Sequence, residues 1–328
     1  MRRPSFRSAA VIAVIFAPSI FPQSAANPPQ TTPPWAYALN PPPVPGAQPA
    51  ADDGKPKTVP GSSVSLMAPQ IRDLFNPPDW YPDDHPKMPE VVMHGRKPDV
   101  RACAYCHLPN GQGRPENAGI AGLPAAYIVQ QMSDYRNGLR KSAEPRMGPP
   151  ALMLAIGKAA SEAEVKQAAA YFSSLTFRPW IRVVETKTVP KTVVSGWMLT
   201  DAEKGKEPIG SRIIEMPENL ERTELRDSKA SFIAYVPVGS IKKGEALVKT
   251  GGAGKTIACG LCHGADLKGL GIVPPLAGRS PSYVVRQLND IKTGNRNGQW
   301  TQLMKEAVAK LTVEDMVAIA AYTASRQP

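Results

Sequence analysis

Two copies of the five-residue pattern Cys-x-x-Cys-His, at 103–107 and 259–263, contain every cysteine of this 328-residue chain. In each copy the two thiols are spaced to form thioether bonds to the vinyl groups of one porphyrin, and the adjacent imidazole can bind its iron axially. The sequence therefore predicts two covalently bound haem c groups. The predicted attachment residues and proximal ligands are Cys103, Cys106, His107, Cys259, Cys262 and His263.

Zinc binding and dithiol redox chemistry are the alternative functions of a Cys-x-x-Cys pair. The four cysteines and two adjacent histidines could also form one zinc cluster. Neither chemistry requires a histidine directly after the second cysteine of both pairs. Because the chain has only four cysteines and four histidines, chance repetition of the whole pattern is improbable, and haem attachment is the favoured interpretation.

The similarity between the two halves extends well beyond the motifs. An offset of 156 residues (259 − 103) pairs Gly113 with Gly269, Tyr127 with Tyr283, Gln131 with Gln287, Asp134 with Asp290, Gly138 with Gly294 and Arg140 with Arg296. The first copy then carries five extra residues, and an offset of 151 pairs 152–153 with 303–304 and 169–171 with 320–322. The sequence thus predicts two homologous lobes.

A haem with one histidine ligand needs a second axial ligand or keeps an open site. Met153 and Met304 are the predicted ligands because they are equivalent in the repeat, each eighteen residues before a matched tyrosine (171 − 153 and 322 − 304). A thioether ligand raises the reduction potential. Core packing is the alternative role of a methionine, and Met147 is the alternative ligand to Met153.

The two remaining histidines, His85 and His94, could compete for the first haem, although a surface or loop position is favoured for both. Each proximal imidazole should donate its other ring N–H to an acceptor, which fixes the ring. A backbone carbonyl near 274–275 is the predicted acceptor for His263. The equivalent positions of the first lobe, 118–119, give a less clear prediction.

Both lobes are predicted to be helical. Segments 125–137 and 282–295 have apolar residues at helical spacing, and each meets a glycine at its end. Residues 161–164 have the capping-box pattern, and Thr312 is the predicted N-cap of the last helix. A further helix is predicted over 243–250.

The predicted organisation begins with a signal peptide over 1–26. Three arginines precede a short apolar run, and Ser24-Ala25-Ala26 offers small residues for cleavage. An uncleaved membrane anchor is the alternative, but the apolar run is short and contains Pro18. The signal predicts a periplasmic location, with membrane attachment only if the signal is uncleaved.

The remaining predicted parts are a Pro-rich leader over 27–65, a first cytochrome lobe over 66–177, a connector over 178–240 and a second lobe over 241–328. The leader composition predicts an extended or disordered segment. An ordered loop over 76–90 should bury Trp80 and Tyr81. The connector is predicted to wrap across the two lobes. Its candidate extended segments are 183–194, 213–214 and 232–236.

The formal net charge is +11, and removal of the three arginines of the signal leaves +8 (11 − 3). A basic carrier is suited to redox partners with acidic surfaces, which steer the encounter; solubility alone is the alternative explanation of the charge. Export and the lack of a recognition motif exclude nucleic acid as the expected partner. The predicted partners are periplasmic redox proteins, namely a dehydrogenase, an oxidase or a reductase.

At these residues the chain resembles the tandem dihaem class I c-type cytochromes, including the c4-like two-lobe proteins. The resemblance covers about 95–177 and 241–328, and it rests on the haem motifs, the Ala-Gly before Tyr-x-x-x-Gln, the Gly-x-Arg, the methionines and the closing Ala-Ala-Tyr helix. It implies an all-α fold of two cytochrome c lobes. The long leader and the partly extended connector depart from the compact family pattern.

The resemblance also implies a function without catalysis. The implied role is periplasmic electron transfer from a dehydrogenase or a quinol-oxidising complex to a terminal oxidase or reductase. The first alternative is the electron-accepting cytochrome subunit of a periplasmic dehydrogenase complex. A dihaem peroxidase is the second alternative, and it would require a haem with an accessible sixth position.

Overall fold

The first lobe consists of short and medium-length helices whose ends follow local sequence signals. The computed structural model describes residues 32–42 and 52–328. The first-lobe helices are α1 (Ala68–Ile71), α2 (Glu90–Met93), α3 (Cys103–His107), α4 (Ala125–Arg136), α5 (Gly148–Ala159) and α6 (Glu162–Ser174). The predicted capping box of α6 is confirmed, because the Ser161 hydroxyl accepts from the Glu164 N–H while the Glu164 carboxylate accepts from the Ser161 N–H. Gly138 follows α4 with a φ of +67°, a conformation that favours glycine.

The connector forms a small mixed sheet and a hairpin. Its elements are β1 (Ile181–Thr186), β2 (Thr188–Ser195), β3 (Met198–Pro208), β4 (Ile214–Pro217), α7 (Leu220–Glu224) and β5 (Phe232–Pro237). Strand β5 lies in the centre of a three-stranded sheet, parallel to β1 and antiparallel to β4, while β2 and β3 form an antiparallel pair. The prediction of an all-α fold is therefore wrong for the whole chain and applies only to the lobes. The β-branched and aromatic residues of the connector favour a pleated, half-buried surface.

The second lobe follows directly and repeats the helical pattern of the first. Its helices are α8 (Ser240–Thr250), α9 (Gly260–His263), α10 (Pro281–Lys292), α11 (Gln302–Val308) and α12 (Val313–Ala324). The predicted cap of the last helix is confirmed, since the Thr312 hydroxyl accepts from the Asp315 N–H. Over residues 32–42 and 52–328, no helix is both long enough and apolar enough to cross a membrane.

The two lobes have separate apolar cores, and the connector contributes to the second. In the first lobe, Phe172 of α6 packs with residues of α2, α3 and α4. In the second lobe, α10 and α12 pack with Ala234 and Val236 of β5 and with Ile213. Connector side chains complete this core, and the Ala230 carbonyl of the connector accepts from Gln112 of the first lobe at 2.9 Å. The connector therefore contacts both lobes, as predicted, and is not a passive linker.

Part of the Pro-rich segment is ordered, in contrast to the prediction of an extended or disordered leader over 27–65. Ala36, Tyr37 and Val59 are buried. The Tyr37 hydroxyl donates to Asp290 Oδ1 at 2.7 Å and accepts from Asn289 Nδ2 at 3.0 Å. The prediction failed because composition does not reveal docking onto a surface distant in sequence. The predicted signal peptide and the leader residues 27–31 and 43–51 lie outside the described residues.

The loop over 76–90 buries both aromatic residues, as predicted. Trp80 packs with Val59 and Ile71 and donates its indole N–H to the Leu225 carbonyl at 2.8 Å. The loop therefore joins the segment before the first lobe to the connector.

A buried carboxylate joins the connector sheet to the second lobe. Glu215 Oε2 on β4 accepts hydrogen bonds from Ser280 Oγ at 2.8 Å, from the Ser282 N–H at 3.0 Å and from Ser282 Oγ at 2.5 Å. Its Oε1 atom is buried and lacks a hydrogen-bond partner among the described residues. Burial raises the pKa of Glu215 above its ordinary value.

This raised pKa predicts a pH-dependent stability difference for Glu215→Gln. The folded state binds the carboxyl proton more tightly than the unfolded state, so the contribution of Glu215 to stability is full below the unfolded pKa, about 4.3, and declines as pH rises through the folded pKa. The glutamine keeps an acceptor oxygen and removes the charge. We therefore expect the free energy of unfolding of the variant, relative to that of the wild type, to increase as the pH rises from 4 to 8.

Denaturant titrations across this pH range measure the effect, with Glu314→Gln on the exposed side of α12 as the matched control. Parallel pH profiles for the wild type and Glu215→Gln would contradict the prediction.

Candidate functional site

Helix α3 carries the first motif and holds a buried imidazole. His107 Nδ1 lies 2.8 Å from the Ala118 carbonyl oxygen. Because a carbonyl can only accept, Nδ1 donates and the Nε2 lone pair is left for another ligand. Burial lowers the pKa of His107 and so favours the neutral imidazole. This is the state in which a histidine binds a metal.

A largely apolar cavity of about 300 Å³ adjoins this imidazole. Its lining includes Cys103, Cys106, His107 and Met153, so the structure brings together all the residues predicted for the first haem. Its apolar walls include Val100, Ile128, Ile156, Val165 and Phe172. A smaller cavity of about 110 Å³ also contacts His107 and Met153 and extends to polar side chains of both lobes.

The cysteine environments fit thioether attachment better than the two alternatives. Burial raises the pKa of Cys103 to about 12 and that of Cys259 to about 11. Redox-active Cys-x-x-Cys pairs depend on a lowered thiol pKa. Within residues 32–42 and 52–328, no three or more His, Cys, Asp or Glu side chains come together as a metal cluster. An apolar cavity with two thiols and a neutral imidazole at its wall fits a porphyrin.

The second motif has the same support. His263 of α9 is buried, and its Nδ1 donates to the Pro274 carbonyl at 2.7 Å. This is the predicted acceptor. In the first lobe the equivalent residue is Ala118, whose carbonyl has the same role, although no clear prediction of it was possible from sequence. Because the acceptor is a backbone oxygen, alanine in the first lobe and proline in the second can fix the imidazole equally well.

The methionines differ in their surroundings. Met153 of α5 lines the same cavity as His107, whereas Met147 is fully buried among residues of the second-lobe core and the connector. The geometry therefore favours Met153 over Met147 as the candidate ligand. Met304 of α11 is partly buried against the second-lobe core, and its neighbour Leu303 is exposed.

The other two histidines have different local partners. His85 Nε2 lies 3.1 Å from Asp79 Oδ1, and this hydrogen bond raises the pKa of His85. His94 Nδ1 lies 3.3 Å from the Phe75 carbonyl oxygen. Neither histidine lines the cavity beside His107.

A buried network between the lobes was not predicted as a functional feature. Arg140 donates to Gln131 Oε1 at 2.8 Å in its own lobe and to the Tyr283 hydroxyl at 2.7 Å in the other. Arg296 donates to Gln287 Oε1 at 3.0 Å and to the Tyr127 hydroxyl at 2.7 Å. The network is therefore symmetric between the lobes. Its indication in the sequence was that the arginine, glutamine and tyrosine of one lobe each match the same residue type in the other at an offset of 156.

The network also fits an anionic group. Both guanidinium groups are buried, and neither has a carboxylate at ion-pair distance within the described ranges. Arg296 Nε is buried without a hydrogen-bond partner there, and Arg140 lines the smaller cavity beside His107. A haem carries two propionates, which are suitable acceptors for such donors.

Comparison with known proteins shows relatives along most of the chain. No protein-family profile matches it. It is 30% identical over 227 residues to cytochrome c4 of Azotobacter vinelandii, covering 67% of this chain and 82% of that protein. It is 26% identical over 235 residues to the thiosulfate dehydrogenase electron acceptor of Thiomonas intermedia, covering 70% of this chain and 80% of that one. A solved cytochrome c4 of Acidithiobacillus ferrooxidans, 22% identical, aligns with a TM-score of 0.45 over 68% of this chain and 98% of that one.

Proposed function

Because this chain belongs to the cytochrome c4 family of dihaem electron carriers, we propose that it carries electrons in the periplasm from a dehydrogenase or quinol-oxidising complex to a terminal oxidase or reductase. It has two covalently bound haem c groups, one in each lobe. The observation that carries the proposal is the pair of buried imidazoles, His107 and His263, each next to a Cys-x-x-Cys pair and fixed by an equivalent backbone carbonyl.

Each residue of the site has a specific role in this function. Cys103 and Cys106 in the first lobe, and their counterparts in the second, attach the porphyrin, while the Nε2 atom of each imidazole binds the iron. Each haem, when bound, supplies an iron that changes between the ferric and ferrous states. Met153 and Met304 provide soft thioether ligands, and the apolar cavity disfavours the extra charge of the ferric form, so both raise the reduction potential.

A second candidate function is the electron-accepting subunit of a periplasmic dehydrogenase complex. Two relatives, from Thiomonas intermedia and Stutzerimonas stutzeri, bear the name thiosulfate dehydrogenase electron acceptor, and this chain covers 80% and 82% of their lengths. A thiosulfate dehydrogenase is then the expected donor. Rapid reduction by that enzyme, together with co-purification, would favour this function over a freely diffusing carrier.

The proposal is tested by a haem count, an optical spectrum and a redox titration of the purified chain. We expect two haems per chain, a weak methionine–iron charge-transfer band in the oxidised protein and two high potentials. The variant Cys259→Ala/Cys262→Ala should retain a single haem, which isolates the first-lobe potential.

One haem per wild-type chain would overturn the proposal. A high-spin iron that reacts rapidly with peroxide would favour the peroxidase alternative instead, because such a reaction needs an accessible sixth position.

A further inference from the structure

The tip of the β2–β3 hairpin carries a large aromatic residue in a backbone conformation that favours glycine. Ser195 pairs with Met198, so Gly196 and Trp197 form a two-residue turn, with φ angles of +58° and +67°. Such turns usually have glycine, asparagine or aspartate at positive φ, and a bulky side chain there strains the backbone. Strain of this kind persists where the surrounding structure requires the side chain. The contacts of Trp197 are therefore of interest.

The Trp197 side chain lies at the wall of the first haem cavity. It lines the cavity of about 300 Å³ together with His107 and Met153. A second connector residue, Arg226, lines the same cavity and donates to the Tyr105 carbonyl of α3 at 2.6 Å. The connector thus forms part of the first haem pocket, next to both of the helices that carry its candidate axial ligands.

The Trp197 ring packs on the backbone of the helix that carries the candidate methionine. A β-carbon at Gly148, the first residue of α5, would lie 2.6 Å from Cζ2 and 2.9 Å from Cε2 of the ring. A larger residue at this position would therefore require a shift of the ring or of the helix. Met153 follows in the same helix, about 7.5 Å further along its axis. Contact at the first turn of α5 thus limits where Met153 can lie.

The opposite end of α5 is held by the first lobe itself. A β-carbon at Gly157 would lie 2.8 Å from Cβ of Tyr135 on α4. Arg136 Nε, also on α4, donates to the Gly157 carbonyl at 3.1 Å. Helix α5 is therefore fixed at its C-terminal end by its own lobe and contacted at its N-terminal end by the connector.

The tip of the hairpin is in turn held by two other parts of the chain. The Trp197 N–H donates to Asn40 Oδ1 at 2.8 Å, in the ordered part of the Pro-rich segment. The Trp197 side chain also packs against the second-lobe core that includes Met147. Because the turn has these anchors outside the first lobe, it can restrain α5 instead of following its movements.

This support belongs to the first lobe and not to the repeat. The connector occurs once in the chain, and the stretch 141–151, which contains Gly148, is five residues longer than its counterpart 297–302. The methionine-bearing helices differ as well, since α5 has 12 residues and α11 has 7. The insertion and the connector are therefore two departures from the repeat that meet at one contact.

We propose that Trp197 is a positioning residue of the first haem site, whose ring holds the N-terminal end of α5 so that Met153 stays in place as the axial ligand and resists displacement by small molecules. The connector thereby stabilises methionine ligation at the first haem and not at the second. This inference rests on the proposed function, because it requires a haem at the first motif and Met153 as its ligand.

The test is a titration of the ferric, haem-loaded full chain with imidazole, which competes with methionine for the sixth position. Loss of the methionine–iron charge-transfer band reports the exchange. Trp197→Gly removes the ring and also relieves the positive φ, so the turn itself becomes less strained. We expect this variant to strengthen imidazole binding at one haem about tenfold, equivalent to about 1.4 kcal/mol, and to leave the other haem within about twofold.

The same titration in the background Cys259→Ala/Cys262→Ala assigns the change to the first haem. Trp197→Phe keeps an aromatic ring and should restore most of the resistance to imidazole. Gly148→Ala should strengthen imidazole binding in the same direction as Trp197→Gly, because its β-carbon displaces the ring, although alanine is the better helix former.

The matched control is Ile209→Ala, which makes a cavity in the separate apolar cluster of the connector sheet. Ile209 does not line the cavity beside His107, so both haems should bind imidazole within about twofold of the wild type. Equal binding by Trp197→Gly and the wild type, an equal increase at both haems, or an equal increase in Ile209→Ala would overturn the inference.

Haem counts and redox titrations on the same samples separate this inference from the proposed function. If two haems titrate reversibly at high potential and Trp197→Gly binds imidazole like the wild type, only the positioning role is wrong. A wild-type first haem without the charge-transfer band would overturn both the inference and the assignment of Met153. If the haems are missing or do not titrate, the proposed function fails as well.

Discussion

Replacing Met304 with alanine should lower the reduction potential of one haem by on the order of 0.2 V, within the range of roughly 0.8 V over which axial ligands set haem potentials. Loss of the thioether removes the ligand that favours ferrous iron, while the other lobe keeps its own ligands. A redox titration of the two-haem protein measures the change. Leu303→Ala, on the exposed side of α11, is the control that should leave both potentials unchanged.

The same experiment in the first lobe distinguishes between the two candidate methionines. Met153→Ala should lower the first-lobe potential by a similar amount, because Met153 lines the cavity beside His107. Met147→Ala should instead leave the potential nearly unchanged and lower the free energy of unfolding by about 2 to 4 kcal/mol, as expected for a buried core methionine. The reverse pattern would assign the ligand to Met147.

The second large effect is expected at the interface between the lobes. Arg296→Met should lower the free energy of unfolding by about 2 to 4 kcal/mol, because it removes charge-assisted hydrogen bonds and leaves buried oxygens of Gln287, Gln131 and Tyr127 with fewer donors. Arg140→Met should have a similar cost by the symmetry of the network. Because the two arginines share partners, the double variant should lower the free energy of unfolding by less than the sum of the decreases in the two single variants.

Denaturant titration of the haem-loaded protein measures these changes. The matched control is Arg96→Met, whose side chain is exposed and pairs with Glu164, so it should cost less than about 1 kcal/mol. An equal, small effect at all three arginines would contradict a structural role for the network.

The features that could be predicted from sequence are those determined by short spacing. The helix caps at Ser161 and Thr312 depend on residues three positions apart, and the haem motifs lie within five residues. The repeat then indicated that Met153 and Met304 occupy equivalent positions in the two lobes. These predictions required no knowledge of which surfaces meet.

The features that could not be predicted depend on residues distant in sequence or on backbone atoms. Tyr37 is buried only because α10 supplies Asn289 and Asp290. The carbonyl that fixes His107 belongs to Ala118, whose side chain carries no signal for an acceptor. Strand β3, rich in charged residues, was missed because its pairing with β2 determines its conformation.

The docked segment 32–42 has a consequence for the order of events during synthesis. Tyr37 bonds to atoms 249 to 253 residues later in the chain, and the Ala36 carbonyl accepts from Arg286 at 2.8 Å. At about 5 to 20 residues per second, the partners emerge roughly 12 to 50 s after the segment itself. The segment must therefore wait, undocked, until the second lobe is made, and its resistance to proteases would report that the whole described chain has been completed and folded.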